Sequence, residues 1–147
     1  MIQRIQTVYL LAAVLLTASL LKLKFAEIVV NNELYDFSAK GIFNSETLIF
    51  NGLPIMIFIG VIVFLHIIII CMYKKRTIQI RATVFTIIFL IGLFGSFFYF
   101  AYTGINGAKV AFKIPMIFPL AAIILDFLAI RAIRKDEALV RSLNRIR

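Results

Sequence analysis

Two ionisable residues, His66 and Asp126, lie well inside long apolar stretches of this 147-residue sequence. Ionisable groups are costly to place at membrane depth, so they are candidates for function wherever they occur there. An imidazole beside a carboxylate can exchange a proton near neutral pH, which suits a proton relay or a substrate site. The simpler interpretation, which we favour, is a polar clasp between two helices, or a carboxylate that extends towards Arg131 or Arg81.

The two residues are predicted to lie at the same depth. His66 precedes Lys74 by eight residues, and Asp126 precedes Arg134 by eight. At a helical rise of about 1.5 Å per residue, each lies about 12 Å from the basic end of its segment. Both segments run in the same direction, so the imidazole and the carboxylate can meet if the two helices are neighbours.

Four apolar runs must position these residues, at about 5–22, 53–73, 82–102 and 114–133. The chain is 63% hydrophobic, against roughly 45–50% in soluble domains. A bilayer core about 30 Å thick takes about 20 helical residues to cross. The last three runs are long enough, and the first reads as a retained signal anchor. The sequence therefore predicts an all-α membrane protein in one domain, residues 1–147, built as a four-helix transmembrane bundle.

Basic residues give the predicted spans a direction. Cytoplasmic loops retain Lys and Arg, and the sixteen in this chain divide eleven to five between the two sides of the spans. In a soluble protein this excess would favour nucleic-acid binding, but here loop charge accounts for it and no nucleic-acid partner is expected. Both termini and the loop around Lys75 are thus predicted to be cytoplasmic, in a multi-pass protein of the inner membrane.

Two segments outside the spans carry further structure. In the outer loop, residues 23–50, Lys24–Val30 and Leu34–Ser38 alternate apolar and polar residues around Asn31 and Asn32, which predicts a small extracytoplasmic β-hairpin. The cytoplasmic tail, residues 134–147, has an apolar face and a basic face, which predicts an amphipathic helix on the anionic membrane surface. Its candidate contacts with the membrane or with a partner are Arg134, Lys135, Arg141 and Arg145.

The residue inventory argues against most enzymes. The chain has one histidine and one cysteine, Cys71, whereas a metal site needs several such ligands. It has no glycine-rich phosphate loop and no nucleophile beside a base. We therefore predict no cofactor, no metal and no catalytic residue.

The leading interpretation is a non-enzymatic accessory or structural subunit of a membrane complex, with the bilayer and other membrane subunits as its partners. The alternative is a small transporter, channel component or lipid-binding protein that uses Asp126 and His66.

The opening residues 1–11, MIQRIQTVYLL, the closing residues 130–147, IRAIRKDEALVRSLNRIR, and the hairpin-like loop between the first two spans resemble a family of small four-span membrane proteins from Bacteroidota. That family is described as a domain of unknown function. The resemblance covers essentially the whole chain and implies a multi-pass inner-membrane protein with cytoplasmic termini. It implies no catalytic or binding residues.

Overall fold

The computed structural model describes residues 3–30, 33–44, 47–73, 75–103 and 109–144, with side chains from residue 5 to residue 140 within those ranges. The helices are α1 (Gln3–Ser19), α2 (Leu53–Cys71), α3 (Arg76–Thr103) and α4 (Phe118–Asn144), and a 3-10 turn, Ile114–Ile117, leads into α4. The strands are β1 (Lys24–Val30), β2 (Glu33–Ser38), β3 (Gly41–Asn44), β4 (Thr47–Asn51) and β5 (Lys109–Phe112).

The four helices pack side by side in a ring. α1 and α3 each contact both α2 and α4, so α2 and α4 face each other across the diagonal. Chain order places the ends of α1 and α3 and the beginnings of α2 and α4 at the same end of the ring, where the strands lie. Pro54 stands in the first turn of α2, where its missing N–H costs no helical hydrogen bond.

Three helical segments are long and apolar enough to cross a membrane: α2, α3 and Ile114–Val140. Only 28% of the most apolar part of α2, and the same share of α3, is buried inside the protein. An apolar surface of that extent on a helix is stable in lipid and not in water, so the protein is membrane-associated. The fourth helix, α1, has 17 residues and is about 26 Å long, slightly short of the hydrocarbon thickness.

The five strands form one antiparallel sheet in the order β4-β3-β2-β1-β5. Its inner face rests on the helices through three buried aromatic rings. Phe25 of β1 stacks on Phe97 of α3 at 4.4 Å between ring centroids, and Phe37 of β2 meets Phe25 edge-on at 5.4 Å. The sheet therefore covers one end of the helical ring, and these aromatic side chains form the contact between them.

The prediction of an all-α four-helix bundle with a two-stranded hairpin is wrong, because a five-stranded sheet is part of the fold. β1 and β2 occupy the segments where the alternation predicts strands, with the residues 31–32 between them outside the described part. A lone hairpin is marginal in water. β5 pairs with β1 on one side and β3 with β2 on the other, which supplies the missing hydrogen bonds and apolar cover.

The predicted helix in the tail is present as an extension of α4, and its contact with the membrane surface stays a prediction. α4 continues without a break to Asn144, beyond the apolar run that ends at residue 133. Its extension is held against the neighbouring helices: Asp136 Oδ2 lies 2.8 Å from Arg76 Nη2 of α3, and Gln6 Nε2 of α1 donates to the Ala132 carbonyl at 3.3 Å. These contacts make the first turns of the tail part of the helical ring.

Candidate functional site

The buried pair of His66 and Asp126 is the candidate site. His66 Nε2 lies 3.1 Å from Asp126 Oδ1 and 3.2 Å from Oδ2, and both side chains are 0% exposed. His66 Nδ1 lies 3.0 Å from the carbonyl oxygen of Ile62, one turn earlier in α2. A carbonyl oxygen only accepts, so we assign a proton to Nδ1.

This assignment leaves one proton for the hydrogen bond between Nε2 and the carboxyl group. The pair is then either imidazolium with carboxylate or imidazole with carboxylic acid, and its net charge is zero in both forms. Moving the proton from one group to the other changes no net charge in the apolar core. The pair can therefore hold and shift one proton without the large cost of a lone buried charge.

His66 and Asp126 meet across the ring of helices and not between two neighbouring helices. The sequence argument requires α2 and α4 to be neighbours, whereas they stand diagonally across the ring. The side chains reach each other across the ring. The pair thus connects two helices that stand on opposite sides of the ring.

Apolar layers close the pair from both sides. Ile62 and Ala122, one turn towards the sheet, belong to the main apolar cluster that continues up to Phe97. Ile69 and Ala129, one turn towards the opposite end, form a second cluster with Leu10. The His66–Asp126 pair is therefore a polar layer that divides the apolar core in two.

More buried polar side chains lie near this layer, mostly towards the end opposite the sheet. Thr83 and Thr86 of α3 donate to the carbonyls of Gln79 and Ala82, one turn earlier. Gln79 Nε2 donates to the Ile69 carbonyl at 3.2 Å. Gln79 Oε1 is buried and accepts no hydrogen bond from any described residue.

Sequence reasoning missed Gln79 because the predicted third span begins at residue 82, whereas α3 begins at Arg76. The sequence does contain a pattern that predicts the burial of Gln79. Gln79, Thr83, Thr86, Leu90, Leu93 and Phe97 recur at spacings of three and four residues and form the buried face of α3. A stripe that is polar at one end and apolar at the other marks a core whose two halves differ.

Of the four predicted tail contacts, the structure describes the side chains of Arg134 and Lys135, which lie apart from the pair. Arg134 and Lys135 are exposed on α4, two turns and more beyond Asp126. Within residues 5–140 that the structure describes, neither forms an ion pair. Arg145 lies outside the described residues, and of Arg141 only the backbone, within α4, is described.

Charges on the outer face of the sheet neutralise one another. Lys24 Nζ lies 2.6 Å from Asp36 Oδ2, and Lys113 Nζ lies 2.5 Å from Glu27 Oε1. The hydrogen bond and charge of Asp36 raise the pKa of Lys24 above its ordinary value. On the other face, which also bears Phe37, the Tyr35 hydroxyl donates to Glu33 Oε2 at 2.8 Å, and this bond raises the pKa of Tyr35.

One edge of the sheet is different. β4 is the outermost strand on its side and contains no charged residue. Leu48 and Ile49 are 52% and 48% exposed, and the register between β3 and β4 shifts at this point, where Ile49 has no partner on β3. The exposed side chains in the middle of this edge are thus apolar. Edge strands normally carry charges, prolines, a bulge or a covering element, because their free N–H and C=O groups invite another strand. Of the first three, the described residues of β4 have only the register irregularity.

Among the described side chains, no group of three or more His, Cys, Asp or Glu residues could hold a metal ion. No curated protein and no solved structure shows significant similarity to the chain. A family model described as "Domain of unknown function (DUF4293)" matches residues 2–146. The match covers nearly every position, so the chain belongs to this family of unknown function.

Proposed function

We propose that the protein is a non-enzymatic accessory or structural subunit of a complex in the inner membrane of a bacterium, with four spans and both termini in the cytoplasm. The inner membrane and the bacterial source rest on the resemblance to Bacteroidota proteins. The orientation rests on the eleven-to-five division of basic residues. Chain order supports the four spans, since the connections around the sheet alternate with those at the opposite end of the helices.

The main support for the function as a subunit is the apolar edge strand β4. Its exposed Leu48 and Ile49 and its free backbone groups match what a strand from another protein requires. Such a strand would add to the sheet by main-chain hydrogen bonds, with its side chains packing on Leu48 and Ile49. A protein that stayed alone would expose a site for aggregation here.

The position of β4 restricts the partner. The strand ends at Asn51, and α2 begins two residues later at Leu53. A partner strand paired with β4 would therefore lie at the outer surface of the membrane, next to the end of a span. Another membrane protein with an extended segment beside its own span meets this requirement.

Transport through His66 and Asp126, the alternative function, has less support. A carrier site opens in turn to each side of the membrane. From Ile62 to the sheet, the core along α2 is apolar, with Ile55 and Ile59 fully buried. No described polar group of α2 continues from the pair towards the outer side.

A photocrosslinking experiment tests the subunit function. A photoreactive phenylalanine analogue replaces Leu48 in cells of the native organism, and the control replaces Leu34, which is 64% exposed but lies on β2 inside the sheet. We expect illumination to join position 48, and not position 34, to another membrane protein. The charge-bearing variant Ile49→Lys should reduce the yield of this adduct, because a lysine on an edge strand opposes strand addition. Recovery of the uncrosslinked protein alone from position 48 would contradict the proposal.

A further inference from the structure

A groove on the outside of the helical ring combines an apolar wall with two cations. It lies between α1 and α4, has a volume of about 330 Å³, and is lined by Ile5, Tyr9, Leu128, Arg131, Ala132 and Lys135. This volume is within the range of about 300–1,000 Å³ that is typical of ligand sites. The wall suits a hydrocarbon chain, and the cations suit a negative group at its end.

The two cations are available for a ligand. Arg131 and Lys135 are one helical turn apart on α4 and are both exposed, so their side chains can converge on one anion. Neither is ion-paired within the described part of the chain. The nearby carboxylate of Asp136 is already paired with Arg76.

A second groove contains a cation whose charge is neutralised by an ion pair. It lies near the sheet, between Phe98, Phe112 and Ile117, and has almost the same volume, about 340 Å³. Its one cation, Lys113, is paired with Glu27 at 2.5 Å. Of the two grooves, the one between α1 and α4 therefore carries the uncompensated positive charge.

Their depth places Lys135 close to the lipid headgroups and Arg131 about one helical turn deeper. Arg131 and Lys135 lie 13 and 17 residues after the first residue of α4, or about 20 and 26 Å along the helix. The groove runs along the first turns of α1 at Ile5 and Tyr9. The described part of this helix, about 26 Å long, is shorter than the hydrocarbon thickness. A bilayer thins locally beside such a helix, which brings headgroups inwards towards Arg131.

From these observations we propose that the groove binds one anionic phospholipid. The headgroup phosphate lies between Arg131 and Lys135, and one acyl chain runs along Ile5, Tyr9 and Leu128. Guanidinium and ammonium groups at the end of an apolar groove between spans are the arrangement that holds acidic lipid headgroups. This site does not depend on the subunit function, since it involves neither β4 nor a partner protein.

Native mass spectrometry of the full-length protein in detergent tests the proposal. The probes are dioleoyl phosphatidylglycerol, dioleoyl phosphatidylcholine and inorganic phosphate, added in separate titrations. We expect one tightly held phosphatidylglycerol and weaker phosphatidylcholine. We expect no displacement of the lipid by inorganic phosphate, because the acyl chain contributes to binding. The double variant Arg131→Ala/Lys135→Ala should weaken phosphatidylglycerol binding about thirtyfold.

The matched control is Lys75→Ala/Arg81→Ala, which also removes two exposed cations from the basic end of the helices but does not line the groove. It should leave phosphatidylglycerol binding within about twofold of the original, and circular dichroism should show all variants folded. Equal binding of both lipids would overturn the proposal. So would an equal loss in the control, since general surface charge would then account for the binding, and so would displacement by inorganic phosphate, which would indicate a simple anion site.

Discussion

At the residue scale, the hydrogen bond between His66 and Asp126 is best understood as a clasp. Each group would be expensive to bury alone, and each is the other's main partner. The bond from Nδ1 to the Ile62 carbonyl fixes the orientation of the ring, so that Nε2 points across the ring of helices at Asp126. The pair thereby sets the rotation of α2, which is apolar all round and has no other polar side chain to define its buried face.

A double-mutant cycle tests this role. Removing one partner, in His66→Leu or Asp126→Leu, leaves the other polar group buried without a partner and should lower the free energy of unfolding by about 3 kcal/mol. Replacing both should lower the free energy of unfolding by less than either single change, because no buried polar group is then left without a partner. Unfolding in mild detergent, followed by circular dichroism, measures the effect. The control Thr86→Val removes a buried hydroxyl that bonds only within its own helix and should cost less than about 1.5 kcal/mol. Losses that simply add in the double variant would contradict the clasp.

At the element scale, the connection from the sheet to α2 depends on two glycines that touch. Gly41 begins β3 with φ of +133°, and a Cβ there would stand 2.0 Å from the Phe50 carbonyl oxygen. Gly52, just before α2, donates its N–H to the Lys40 carbonyl at 2.9 Å. The close approach fixes β3 and β4 against the start of α2, so the exposed edge is held at a defined place above the membrane.

The variant Gly41→Ala tests this connection. Both the backbone conformation and the contact with Phe50 exclude a side chain, so we expect a loss of at least about 2 kcal/mol in the free energy of unfolding. The matched control is Gly60→Ala in α2, where a Cβ meets no atom within 4 Å. It should be neutral or stabilise the helix by up to about 1 kcal/mol. Thermal unfolding in detergent compares the two, and equal melting temperatures would mean that the glycine contact has no structural importance.

The elements also differ in how far a sequence can predict them. α2 and α3 can be predicted because apolar runs of that length rarely occur outside membrane-spanning helices. β1 and β2 can be predicted because each alternates apolar and polar residues over six or seven positions. β3 and β5 have four residues each, too few for a periodic pattern, and they exist because β1 and β2 offer them partners. The depth match between His66 and Asp126 is readable from sequence, whereas the diagonal placement of α2 and α4 is not, since it depends on how all four helices share one core.

At the scale of the whole molecule, the two ends of the helical ring differ in chemistry. The end beneath the sheet is filled by apolar side chains and closed by Phe25, Phe37 and Phe97. The opposite end contains buried polar groups, the ion pair of Arg76 with Asp136, and most of the basic residues. This polarity matches an insertion in which the basic end stays in the cytoplasm, because moving Lys and Arg across the membrane is unfavourable.

Cysteine labelling tests that orientation. The native Cys71, which is exposed on α2, is first replaced in a Cys71→Ser background. Leu34→Cys then reports on the sheet and Lys75→Cys on the connection between α2 and α3, both at exposed positions. With a membrane-impermeant maleimide, position 34 should react in intact spheroplasts, and position 75 only after lysis. The reverse pattern would place the sheet in the cytoplasm, where β4 would meet a cytoplasmic partner, and labelling of both positions in intact spheroplasts would indicate two orientations. Because eleven of the sixteen basic residues lie on the side of position 75, we expect the single orientation with the sheet outside.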